Sequence, residues 1–150
     1  MIDDDWPFLD VHPDDRYQIA AERVEATPFF QALGLHLDET AVDYARVSLV
    51  TGPHLVNPLG ITHGGVHASL IDTAIGQALL TTIKPGYGMS TIDMDVKYFK
   101  PTTRGRLVAE GRIVRKGKRI AHGEVSLYDE ERNLVAKGWC VYAIVKMNKA

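Results

Sequence analysis

The sequence predicts an α+β protein in which a curved antiparallel sheet of about six strands wraps around one long central helix. Three observations carry this. Residues 64–82 repeat apolar and small side chains at helical spacing, with no strand-like alternation. Four strand-like segments follow, joined by turns too short for crossover connections, so their pairing must be antiparallel. The 150 residues are enough for one buried core, and a sheet folded around a single helix is the economical way to bury both.

In chain order, "QIAAERVEATPFFQAL" (18–33) reads as a helix broken near Pro28 and ended by Gly34. "LHLDET" and "DYARVSLVTG" form a hairpin, with Val47 and Leu49 alternating against Arg46 and Ser48. "PHLVNPLGITHGG" is turn-rich, and "KPGYG" stops the long helix. Strands are expected near 88–100, 105–117, 119–130 and 133–147. In the first of these, simple alternation places Ile92, Met94, Val96 and Tyr98 on one face and Asp93, Asp95 and Lys97 on the other. Gly64, Gly65, Ala68, Ala74, Gly76 and Ala78 let the helix approach the sheet closely. They also weaken it as a free helix, so packing must hold it.

Net charge is −2, but its sign is unevenly spread. Residues 1–25 are strongly acidic and read as an extension, partly helical or flexible, before a single domain over 26–150. Residues 97–119 are strongly basic, either a solvated strand face or a site for a polyanion. No apolar run approaches the ~20 residues that span a bilayer, and "MIDDDWPFLD" lacks the order of a signal peptide. Cys140, the single cysteine, allows no intrachain disulfide and fits a reducing cytoplasm; in "GWCVYAIV" it reads as a small core residue. The six histidines form no metal-binding cluster, although His63 and His67 are spaced i, i+4, and no GxSxG elbow is present. No nucleic-acid motif is found, and the acidic N-terminus opposes such binding.

"NPLGITHGGVHASLIDTAIGQALL" (57–80) carries the chemistry. Gly64 and Gly65 open the helix, where the first backbone N–H groups lack internal partners. They either fit a tight entry turn or let a developing oxyanion reach those donors. Asp72 lies on the face of Gly65, Ala68, Ser69, Ile75 and Gly76. A carboxylate on that small, apolar face either bonds a loop or does chemistry. Eight residues of helix separate Gly64 from Asp72, about 12 Å. If both serve one reaction, the aspartate must come from a second copy. Two antiparallel helices would then form a two-fold pair of sites.

Asn57, Gly60, His63, Gly64 and Gly65, with Asp72 nine residues after His63 and Ser90 in "GYGMSTIDMDVKYFKP", make a specific pattern. On it, residues 30–147 resemble the hotdog-fold acyl-CoA thioesterases of the phenylacetyl-CoA and 4-hydroxybenzoyl-CoA thioesterase kind. The resemblance implies hydrolysis of an acyl-CoA to free acid and CoA, with no cofactor and no metal. It implies that Asn57 and His63 brace the loop and the thioester, and that the Gly64 N–H polarises the carbonyl. Asp72 of the facing subunit would activate water or attack directly, and Ser90 would position it. Arg115, Lys116, Lys118 and Arg119 are candidates to meet the CoA phosphates. The implied assembly is a homodimer, pairing again into a tetramer, with neither nucleic acid nor membrane as partner. A non-catalytic hotdog module that binds or senses acyl-CoA is the alternative; a carboxylate beside the thioester favours the enzyme.

Overall fold

The computed structural model describes residues 16–147. The acidic run from Asp3 to Asp15 lies outside the described residues. Helix α1 (Arg16–Ala26) buries Val24 in the core. Thr27, held extended by the following proline, separates it from the short helix α2 (Pro28–Leu33). Gly34 ends α2 in the left-handed conformation, φ 66°.

Strands β1 (His36–Ala41) and β2 (Tyr44–Val50) form the hairpin, turning at Asp43. A 3₁₀ turn at Pro53–Leu55 and an irregular loop lead into α3 (Gly64–Leu80). Then come β3 (Tyr87–Tyr98), β4 (Arg106–Lys116), β5 (Ile120–Tyr128) and β6 (Leu134–Lys146). The six strands make one sheet in the order β1-β2-β4-β5-β6-β3, and every neighbouring pair is antiparallel. The expected architecture is therefore present. Strand β3 lies at an edge: among the described residues it pairs only with β6.

Helix α3 fills the concave side of the sheet. Leu70, Ile71, Ala74, Ile75, Ala78 and Leu79 are completely buried. Each larger aliphatic among them contributes about 1.5–3 kcal/mol by leaving water. The close approach depends on the sheet as well as the helix. A methyl group at Gly111 of β4 would come within 2.8 Å of the Ala74 main chain. One at Gly123 of β5 or Gly138 of β6 would strike Ile75 or Ile71. Three glycines, one on each of these strands, thus form the slot in which α3 lies. The far end of the helix is tied to the hairpin: Asp43 N–H donates to Thr81 Oγ1 at 2.9 Å, and Thr82 Oγ1 donates to Asp43 Oδ1 at 2.8 Å.

The register of β3 corrects one expectation. A bulge between Thr91 and Asp93 inserts Ile92 as an extra residue. Met94 and Val96 are half-buried, but Ile92 is 56% exposed. Before the bulge the phase is reversed, so Met89 and Thr91 line the cleft beside the helix and Ser90 does not.

Candidate active site

The loop before α3 is rigid for local reasons. Asn57 Oδ1 accepts from Leu59 N–H at 2.9 Å and Ile61 N–H at 3.4 Å. The Asn57 main chain bonds Ile61 O and Gly60 N–H, and Gly60 has φ 75°. Thr62 N–H donates to Thr102 O, and His63 N–H to Leu55 O. These bonds fix where the helix begins.

His63 is the N-cap of α3. Its Nδ1 accepts from Gly65 N–H at 2.8 Å. Gly64 N–H, the first of the helix, donates to no acceptor among the described residues. The Gly64 carbonyl accepts from the Tyr98 hydroxyl at 3.1 Å. The helix end thus presents one free donor, braced on the carbonyl side. Behind it, buried His67 makes a 3.1 Å hydrogen bond through Nε2 with Thr102 Oγ1. Burial holds its pKa below the ordinary value, so it is neutral. No group of three or more metal-ligating side chains occurs among the described residues.

Two turns further along α3, Asp72 is half-buried at the edge of a cleft of about 420 Å³. Its Oδ1 accepts from Thr91 Oγ1 of β3 at 2.9 Å and lies 2.5 Å from the Tyr142 hydroxyl of β6. Tyr142 also lies 2.7 Å from the Asp72 carbonyl. Burial, and then the Asp72 charge, push the Tyr142 pKa far above its ordinary 10.0, so it remains a donor. Oδ2 accepts no hydrogen bond among the described residues. The carboxylate is held by one oxygen and has the other available for chemistry.

Thr91 and Tyr142 were not among the sequence-derived site residues. Ser90 was, and the structure places it elsewhere: it pairs with Ala143 on β6 with its side chain exposed, while Thr91 takes the contact with Asp72. The reason is the bulge, which shifts the strand's phase by one residue. Asn57, His63 and Gly64 come together at the helix entry. Asp72 is about 12 Å from Gly64 along the same helix.

The cleft beside Asp72 is lined by Phe29, Phe30, Met89, Met94, Gly76 and Gln77. A second cleft of about 340 Å³ runs past His63 and Gly65; Phe29 and Ser69 line both, so the two adjoin under α2. At the other end of α3, Lys116 and Lys118 join Lys84 and Tyr87 around a cleft of about 390 Å³. Lys116 Nζ donates to Thr82 O at 3.0 Å. Arg115 and Arg119 are exposed and do not line this cleft. Lys84 was not expected there.

The description of the thioesterase superfamily matches residues 59–136, a span that contains His63, Gly64, Asp72 and Thr91. Over 124 residues the chain is 31% identical to SSO1253 of Saccharolobus solfataricus, covering 81% of this chain and 82% of that protein. Over 132 residues it is 28% identical to the medium/long-chain acyl-CoA thioesterase YigI of Escherichia coli K12, covering 78% and 85%. Thioesterase HI1161 from Haemophilus influenzae superposes with a TM-score of 0.80 at 17% identity, covering 85% of this chain and 89% of that one. At that identity the likeness shows the fold, and the fold is the hotdog. No helix among the described residues is long and apolar enough to cross a membrane.

Proposed function

This chain belongs to the thioesterase superfamily and is a thioester hydrolase, and on that premise we propose that it cleaves an acyl-CoA at a site shared between two subunits. The similarity to YigI supports a coenzyme A thioester as substrate. The observation that carries the shared site is the separation of Gly64 and Asp72 by about 12 Å of one helix, because a reacting carbon must lie within about 3 Å of both oxyanion donor and base. The bare edge of β3, 12 residues long, is where a second copy would pair antiparallel, bringing each Asp72 to the other's helix entry. We extend the reading to a second pairing of such dimers into a tetramer.

In the proposed reaction, Gly64 N–H of one subunit polarises the thioester carbonyl. Water adds to the carbonyl carbon as its proton passes to Asp72 Oδ2 of the other subunit. Gly64 N–H holds the resulting oxyanion. Collapse breaks the carbon–sulfur bond, the proton goes to the departing sulfur, and free acid and CoA leave. Asp72 Oδ2 is equally open to attack the carbonyl itself, forming a mixed anhydride as CoA leaves; after single turnover in ¹⁸O-water, label in Asp72 establishes that route with water opening the anhydride at the aspartyl carbonyl. Asn57 and His63 hold the loop, and Thr91 and Tyr142 hold the carboxylate. Lys116 and Lys118, with Lys84, are placed to meet CoA phosphates just past the end of α3, which lies about 12 Å along the helix from Asp72.

Complementation tests the shared site. Asp72→Asn and Gly64→Pro are each expected to be inactive; Pro removes the N–H. In a mixed dimer one site carries both lesions and the other neither. Refolded equimolar mixtures should recover about a quarter of wild-type activity, because random pairing gives about half heterodimers. Verified heterodimers that stay inactive, beside wild-type controls that recover, overturn the proposal.

A further inference from the structure

We propose that Gln77 selects acyl groups bearing a hydroxyl several bonds from the thioester; the inference rests on the acyl-CoA reading above. Gln77 is only 9% exposed, and its Oε1 is buried with no hydrogen-bond partner. It lines the same cleft as Asp72, Thr91 and Tyr142. Buried amides nearly always find partners, and one left without a donor is destabilising. Nothing in the mechanism uses it.

The position suits substrate recognition. Gln77 is five residues beyond Asp72, about 7.5 Å along the helix axis. Between them Gly76 makes room for Met89: a methyl group there would lie 3.2 Å from Met89 Cε. The other walls toward Gln77 are apolar, from Phe30, Met89 and Met94. An acyl group running from the reacting carbonyl along this cleft ends against the amide. A purely hydrocarbon group would leave it without a partner. A hydroxyl at that end of the acyl group would satisfy it. A half-turn about the last side-chain bond exchanges the amide oxygen and nitrogen, and a hydroxyl can donate to one or accept from the other.

The test uses matched acyl-CoA pairs differing only by a distal hydroxyl, one pair straight-chain and one aryl. Wild type should prefer the hydroxylated member of at least one pair by about tenfold in kcat/KM, the scale of one net hydrogen bond. Which pair responds tells a chain from a ring. In Gln77→Leu, and in Gln77→Met should the first fold poorly, the ratio should fall to about one. No preference in wild type, or a preference that survives both substitutions, overturns the inference. Thermal shifts with the free acids decide it independently of turnover: hydroxylated acids should stabilise wild type more than their counterparts, and the variants equally. If wild type hydrolyses no acyl-CoA, the substrate reading fails, and the thermal shifts still decide Gln77.

Discussion

The phenolic oxygen of Tyr142 lies between two acceptors of one residue, 2.5 Å from Oδ1 of Asp72 and 2.7 Å from its main-chain carbonyl. One proton serves both. The contact joins the last strand to the middle of the central helix and sets the rotamer of the only carboxylate among the described residues that line the cleft. Asp72→Asn should lower kcat by about 10² or more, the scale of a lost acid–base group. Tyr142→Phe should lower it by about tenfold and cost about 1 kcal/mol of stability. Because Tyr142 acts through Asp72, the double variant should be no slower than Asp72→Asn alone. Fully additive losses in kcat would show that Tyr142 does something else.

Thr91 and its neighbour Ser90 give a cleaner comparison. Thr91→Val keeps the shape and removes the donor to Asp72 Oδ1. It should reduce kcat by several-fold to about tenfold, with KM little changed. Ser90→Ala should have almost no effect, since Ser90 lies on the other face. A larger loss from Ser90→Ala than from Thr91→Val would mean that the bulge in β3 does not persist in the working enzyme.

Cys140 predicts how stability depends on alkaline pH. The thiol is completely buried and its pKa is pushed up from 9.0 to about 12, by burial first and then by the charges of Asp72 and Asp93. Folding therefore favours the protonated thiol. Its contribution is whole below pH 9, declines above it and is lost as pH rises through about 12. Urea midpoints measured from pH 8 to 11 should fall more steeply for wild type than for Cys140→Ala. Parallel curves would remove Cys140 as the cause.

The cleft around Lys116 and Lys118 should matter for affinity. Lys118→Ala should raise KM for an acyl-CoA by several-fold and leave kcat nearly unchanged, as expected for contacts kept throughout the reaction. A truncated thioester without the nucleotide should not sense the change. Lys116→Ala is less clean, because Lys116 also bonds Thr82 O at the end of α3. Arg115→Ala and Arg119→Ala should have smaller effects. Equal loss with full and truncated substrates would exclude phosphate contacts.

The parts of the site that were legible in the sequence are the local ones. Helix α3, its glycine entry and Asp72 lie within one stretch, and spacing alone places them. The strands showed through alternation and short turns. Thr91 was hidden because alternation holds only until a bulge interrupts it, and Ile92 looked like an inward-facing residue of a regular strand. Tyr142 was hidden by distance: it is 70 residues from Asp72 and sits in a run that reads as ordinary core strand. The basic turn looked like one cluster, yet only Lys116 and Lys118 line the cleft, beside Lys84 from another segment.

The slot formed by Gly111, Gly123 and Gly138 also bears on when the protein can fold. Helix α3 is complete once residue 80 has been synthesised, but its slot is made by strands that arrive last. A free helix of 17 residues, rich in glycine and β-branched side chains, is marginal in water. It must stay unsettled on the ribosome until the chain has passed Gly138. Folding is therefore dominated by contacts between distant residues and should be slow for a chain of this size. Truncations inside β6 should leave an apolar segment with nowhere to go, and such chains should aggregate rather than form a smaller domain.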